Sequence, residues 1–120
     1  MIKPKDNQAL LDTIIAAIED KKGEDIQILD LTEIENAVSS YFVICSANSN
    51  TQVAAIAGSI EDKTRKELKE KPFHTEGLTN ALWVLMDYVS IVVHIFQRDK
   101  REFYDLESMW GDAKNVSITS

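Results

Sequence analysis

The chain is poor in the residues that most often carry covalent or metal chemistry. Its 120 residues include one cysteine, Cys45, and two histidines, His74 and His94. A lone cysteine excludes an internal disulfide and leaves a reducing cytoplasm as the expected compartment. That cysteine and two histidines twenty positions apart do not supply a zinc ligand set, so no metal is expected. The four glycines, Gly23, Gly58, Gly77 and Gly111, are scattered and form neither a phosphate loop nor a dinucleotide fingerprint. Bases are in deficit: 13 Lys and Arg face 20 Asp and Glu, a net charge of −7. That balance argues against capture of nucleic acid, whose affinity comes from neutralising phosphates, and suits a basic protein partner. The longest apolar run, ALWVLMDYVSIVVHIF at 81–96, is too short and too interrupted to span a bilayer. The opening MIKPKDNQALLD has neither the apolar core of a signal peptide nor the acid-poor character of a transit peptide, so no membrane role is expected.

What is present reads as an ordinary globular chain, with 44% hydrophobic and 28% charged residues. One domain is expected over residues 1–120, with a core of about 6–113 and a loose tail, NVSITS. Leu10, Leu11, Ile14, Ile15 and Ile18 fall at helical spacing within 6–22, before a Lys21-Lys22-Gly23 stop. DIQILDL (25–31) alternates as a strand of mixed exposure, and SYFVICSA (40–47) is the continuous apolar run of a central strand. Ser49-Asn50-Thr51-Gln52 has the form of a capping box. The helix it opens carries Val53, Ile56, Ala57, Ile60 and Leu68 on one stripe and ends at Pro72, its charged face being solvated. FHTEG (73–77) is a short strand or loop. A two-residue turn near Val89 then makes a hairpin of 81–88 and 90–97. Pleat alternation puts Trp83, Leu85 and Asp87 on one face with Val92, His94 and Phe96, and Leu82, Val84, Met86, Tyr88, Ile91, Val93 and Ile95 on a plain core face. REFYDLESMW (101–110) spaces Phe103, Leu106 and Trp110 as a short amphipathic helix stopped by Gly111. The order predicts an α/β layered domain.

The catalytic inventory is thin. Ser46 or Ser90 could be drawn with His94 and Asp87 as a triad, but no Gly-x-Ser-x-Gly elbow is present. A histidine between Val92 and Phe96 is more often a half-buried, hydrogen-bonded residue than a catalyst. Asp30 and Asp87 lack the neighbouring acids that a magnesium-dependent transferase needs. The small residues of CSANSNT could receive an anion at a helix N-terminus, and capping explains them equally well. No cofactor is expected. What remains is a surface of Trp83, Tyr88, Tyr104 and Trp110 with Asp87, Arg101 and Glu107, since aromatics with arginine are the usual anchors of protein interfaces.

In order along the chain, SYFVICSANSNTQVAAIA (40–57), TEG (75–77), LWVLMDY (82–88), VVHIF (92–96) and REFYDLESMWGDA (101–113) resemble the ribosomal silencing factor family, also called RsfS or Iojap-like. The resemblance implies a mixed sheet of about five strands flanked by helices, nucleotidyltransferase-like but without the catalytic residues. It implies a translation repressor that binds the large ribosomal subunit through ribosomal protein fourteen. Such a factor blocks joining of the small subunit when nutrients run short or in stationary phase. The family's signature side chains fall on Trp83, Asp87, Tyr88, His94, Arg101, Tyr104, Leu106, Glu107 and Trp110, and all of these but Leu106 are taken as candidate partner-binding residues. One departure stands out: Val89-Ser90 replaces the family's usual Gly-Asp. Valine is expected to resist the positive φ that glycine allows, which implies a different turn and one acidic contact fewer. Two other functions remain open from the same residues. One is a nucleotidyltransferase-like enzyme acting on a nucleotide or RNA end; the other is a homodimer of the free protein formed through the aromatic hairpin face.

Overall fold

The computed structural model describes residues 7–34, 39–104 and 114–117, without the side chains of 102–104 and 114–117. Helix α1 (Asn7–Asp20) buries Leu10, Leu11, Ile14, Ala17 and Ile18 on one stripe, as the helical spacing predicts. Strands β1 (Glu24–Asp30) and β2 (Tyr41–Ala47) follow, and then α2 (Asn50–Leu68). Ser49 caps α2, its Oγ accepting the Gln52 N–H at 3.1 Å. The Gln52 side chain reaches back to the Asn48 N–H at 2.8 Å, one residue beyond the position a strict capping box would use. α2 stops before Pro72, because Lys69 turns left-handed at φ 57° and its N–H returns to the Arg65 carbonyl.

Strands β3 (His74–Glu76), β4 (Trp83–Asp87) and β5 (Ile91–Gln97) complete the hairpin region, and α3 (Arg98–Tyr104) starts directly after β5. The last helix therefore begins three residues before the 101 expected from the spacing of Phe103 and Leu106. No Gly or Pro separates strand from helix there, and residues 105–110 of the expected helix lie outside the described residues. The tail expected to be loose contributes a strand: β6 (Lys114–Ser117) pairs antiparallel with β1. Four residues are too few for alternation to announce a strand, so the pairing partner supplies the order.

Among the described residues the six strands form one mixed sheet in the order β3-β4-β5-β2-β1-β6. Its parallel pair is β2 with β5, registered from Tyr41 opposite Ile91 to Ala47 opposite Gln97. β2 and β5 are buried on both faces, which is why both read as unbroken apolar runs. One face packs Ile28, Val43, Cys45, Val84, Met86 and Ile95 against the stripes of α1 and α2. The other gathers Leu29, Leu31, Phe42, Ile44, Val92 and Phe96, with Trp83 and Leu85 at its margin. Gly77 sits at φ 92°, and a Cβ there would collide with the Trp83 carbonyl oxygen, so glycine is required where the chain turns into β4.

Candidate functional site

The β4/β5 ladder sets Trp83 opposite Phe96, Leu85 opposite His94 and Asp87 opposite Val92, the face assignment that alternation predicts. Trp83 stacks on Phe96 with ring centroids 4.9 Å apart, and Phe42 meets the His94 ring edge-on at 4.8 Å. Across the diagonal, the Trp83 indole N–H donates to Nδ1 of His94 at 3.1 Å. A neutral imidazole that accepts at Nδ1 carries its proton on Nε2. His94 is 3% exposed, and its Nε2 finds no hydrogen-bond partner among the described residues. Burial holds its pKa down at about 4, so the ring is uncharged at neutral pH.

Asp87 is half-buried and works locally: its carboxylate accepts the Val89 N–H at 2.7 Å. Val89 takes a φ of 73°, so the expectation that valine would avoid the positive region is overturned, the Asp87 hydrogen bond holding the turn in place. Tyr88, assigned from sequence to a partner surface, is 1% exposed beneath α2 on the opposite face from Trp83. Its hydroxyl and the Thr64 hydroxyl lie 2.9 Å apart, and Thr64 donates to the Ile60 carbonyl, which leaves Tyr88 as the donor of the pair. Burial pushes the Tyr88 phenol up to about 12. Tyr88 and His94 are thus core side chains, since the pleat turns one towards the helices and packs the other among aromatic rings.

Arg101 reaches from α3 to the Ser46 hydroxyl at 2.9 Å and to the Asp25 carbonyl. One turn earlier, Arg98 forks between the carboxylates of Glu24 and Asp25, with its Nε on Asn48. These contacts join residues 50 to 76 positions apart in sequence, and no periodicity could have revealed Arg98 or Glu24 as their members. Tyr104 closes α3, but its side chain lies outside the described residues, as do Leu106, Glu107 and Trp110. The structure therefore brings together Trp83, His94 and Asp87 along one face, sets Arg101 on the same side through Ser46, and separates Tyr88 from them. It also adds Phe42, which hydrophobicity alone could not distinguish from plain core, to the Phe96 that alternation had already put on this face. Cys45 is fully buried with its thiol pushed up to about 12, which makes it unreactive. Among the described residues no three His, Cys, Asp or Glu side chains converge to hold a metal, and no helix is long and apolar enough to cross a membrane.

These features define a small α/β domain built on one mixed sheet, with an aromatic and imidazole cluster on the face opposite its two long helices. The family model described as "Ribosomal silencing factor during starvation" matches residues 4–120, and the chain belongs to this family. It is 39% identical to the ribosomal silencing factor RsfS of Halalkalibacterium halodurans, covering 93% of this chain and 94% of that one. The Bacillus subtilis RsfS is 43% identical over 88% of each chain. Maize Iojap, a chloroplastic protein, is 30% identical over 88% of this chain and 45% of its own length. A solved Chromobacterium violaceum protein superposes with a TM-score of 0.82 at 33% identity, covering 97% of this chain and 94% of that one.

Proposed function

We propose that this protein binds the large ribosomal subunit through ribosomal protein fourteen and represses translation by occupying the surface that the small subunit needs. The observation that carries this is the match to the silencing-factor family along nearly the whole chain, residues 4–120. The physical side is consistent with it. A chain of net charge −7 gains steering and discrimination from a basic ribosomal protein. The margin of the second face offers half-buried Trp83 and Leu85 beside Asp87, the mixture typical of an interface centre and its rim. Inhibition then needs no reaction, because a bound domain excludes the competing subunit by volume and mass action does the rest. On this proposal the protein is a cytoplasmic, non-catalytic factor, and Trp83, Asp87 and Arg101 are the described residues placed to support the contact.

The test is cosedimentation with isolated large subunits, small subunits and joined ribosomes, with subunit joining scored in the same gradients. Binding confined to large subunits together with fewer joined particles is the expected result; normal joining at saturating protein would overturn the mechanism. A nucleotidyltransferase-like activity has in its favour the related fold that the family resemblance implies and the capped N-terminus of α2. Against it, the Asp30 carboxylate is engaged by the Thr32 N–H at 2.9 Å and by the Thr32 hydroxyl. Magnesium-dependent nucleotide binding in calorimetry would revive that alternative.

A further inference from the structure

Helix α3 opens on a residue that does little for the helix itself. It spans seven residues, about two turns, too short to hold its place by intrinsic helicity. Arg98 starts it directly after β5, and a cation at a helix N-terminus opposes the macrodipole. The gain lies across the sheet, where Arg98 pairs with Glu24 and, at 2.9 Å, with Asp25 at the start of β1. Consecutive residues of a regular strand point to opposite faces, so two neighbouring carboxylates do not ordinarily reach one guanidinium. Here the β1/β2 register shifts between Glu24 and Gln27, and Asp25 sits at φ 52°. That bulge cancels the alternation and aims both carboxylates at Arg98.

The same bulge holds a second arginine. The Asp25 carbonyl accepts from Arg101, one turn along α3, and the Arg101 guanidinium also donates to the Ser46 hydroxyl at 2.9 Å. Ser46 is buried on β2, so Arg101 reaches inwards, whereas the Arg98 side chain stays half exposed. Asn48 steadies the clasp from the end of α2: its amide donates to Glu24 at 3.2 Å, and its carbonyl oxygen accepts the Arg98 Nε–H at 3.3 Å. Arg98 thus fixes Asp25 by its side chain, and Asp25 fixes Arg101 by its backbone. Exposed ion pairs contribute little to stability, so a clasp built on a bulge is better suited to setting an orientation.

We propose that Arg98 is a positioning residue: acting through Asp25, it holds the Arg101 guanidinium in the orientation that large-subunit binding uses. The proposal rests on large-subunit binding as proposed above, and it adds a residue that need not touch the subunit. The test titrates large subunits with full-length wild type, Arg98→Gln, Arg98→Lys, Arg101→Gln and the double variant Arg98→Gln/Arg101→Gln, and follows thermal unfolding of each. Arg98→Gln takes the net charge from −7 to −8, which long-range attraction to a basic partner would turn into tighter binding. Loss of the clasp acts in the opposite direction and is expected to weaken binding about fivefold. Arg98→Lys keeps the charge but not the fork, and a weakening of about threefold is expected. Tm should fall by no more than about 4 °C in either variant. Arg101→Gln is expected to weaken binding about tenfold, and the double variant should bind about as weakly as Arg101→Gln alone. Wild-type affinity in Arg98→Gln or Arg101→Gln, losses that multiply in the double variant, or a Tm fall large enough to account for the lost binding overturns the inference and leaves large-subunit binding standing. Failure of the wild type to bind overturns both.

Discussion

The Trp83 indole N–H donates to Nδ1 of His94 at 3.1 Å, and this one bond ties the margin of the second face to its centre. It satisfies a donor that would be costly to bury alone, and it selects the imidazole tautomer. Trp83→Phe keeps the stacking on Phe96 but removes the donor. The expected loss is about 1–2 kcal/mol in urea unfolding, because Nδ1 is then left without its partner. An unchanged midpoint would show that the bond contributes nothing to the fold.

His94 makes stability depend on pH. Its pKa falls from an ordinary 6.5 to about 4 in the folded chain, because burial disfavours the charged ring. Between those values the unfolded state binds more protons than the folded one, so stability rises with pH in that window. The contribution is complete above about pH 6.5 and is lost as the pH falls towards 4. The full difference is of order 3 kcal/mol. Urea unfolding at pH 7, 5.5 and 4.5 should show the decline, and His94→Gln should flatten it at some cost in stability at neutral pH.

Tyr88 and Thr64 share a buried hydrogen bond 2.9 Å long between the hairpin and α2. Tyr88→Phe is expected to cost about 1 kcal/mol, and Thr64→Val a similar amount by orphaning the phenol. Changing both removes both polar partners, so the double variant should lie closer to wild type than the two single losses added together. A double-mutant cycle measures the coupling, expected at about 0.5–1.5 kcal/mol; strict additivity would deny the bond.

Two glycines predict opposite outcomes. Gly77→Ala forces a Cβ onto the Trp83 carbonyl at φ 92°, and a loss of about 3 kcal/mol or failure to fold is expected. Gly58 lies inside α2 with open space where its Cβ would stand, so Gly58→Ala should stabilise by about 0.5–1 kcal/mol. Thermal melts of the two variants check both signs.

Some of this was legible in the residues alone. The stripes of α1 and α2 and the two faces of the hairpin follow from periods of 3.6 and 2, the buried β2 from an unbroken apolar run and the Ser49 cap from its Ser-x-x-Gln form, all of which belong to the local chain. The same alternation placed Tyr88 with the core residues even while its aromatic character suggested a surface. Tertiary structure decided what depends on partners distant in sequence. β6 exists because β1 offers it an edge, and Arg98 and Arg101 find Glu24, Asp25 and Ser46 only after the sheet brings β1, β2 and β5 side by side. Val89 accepts a strained φ because Asp87 holds its N–H, a local bond that composition does not advertise. Local periodicity therefore set the elements and their buried faces, while chain folding set the neighbours that shift a pKa, anchor a phenol or hold a turn, because those effects act through space.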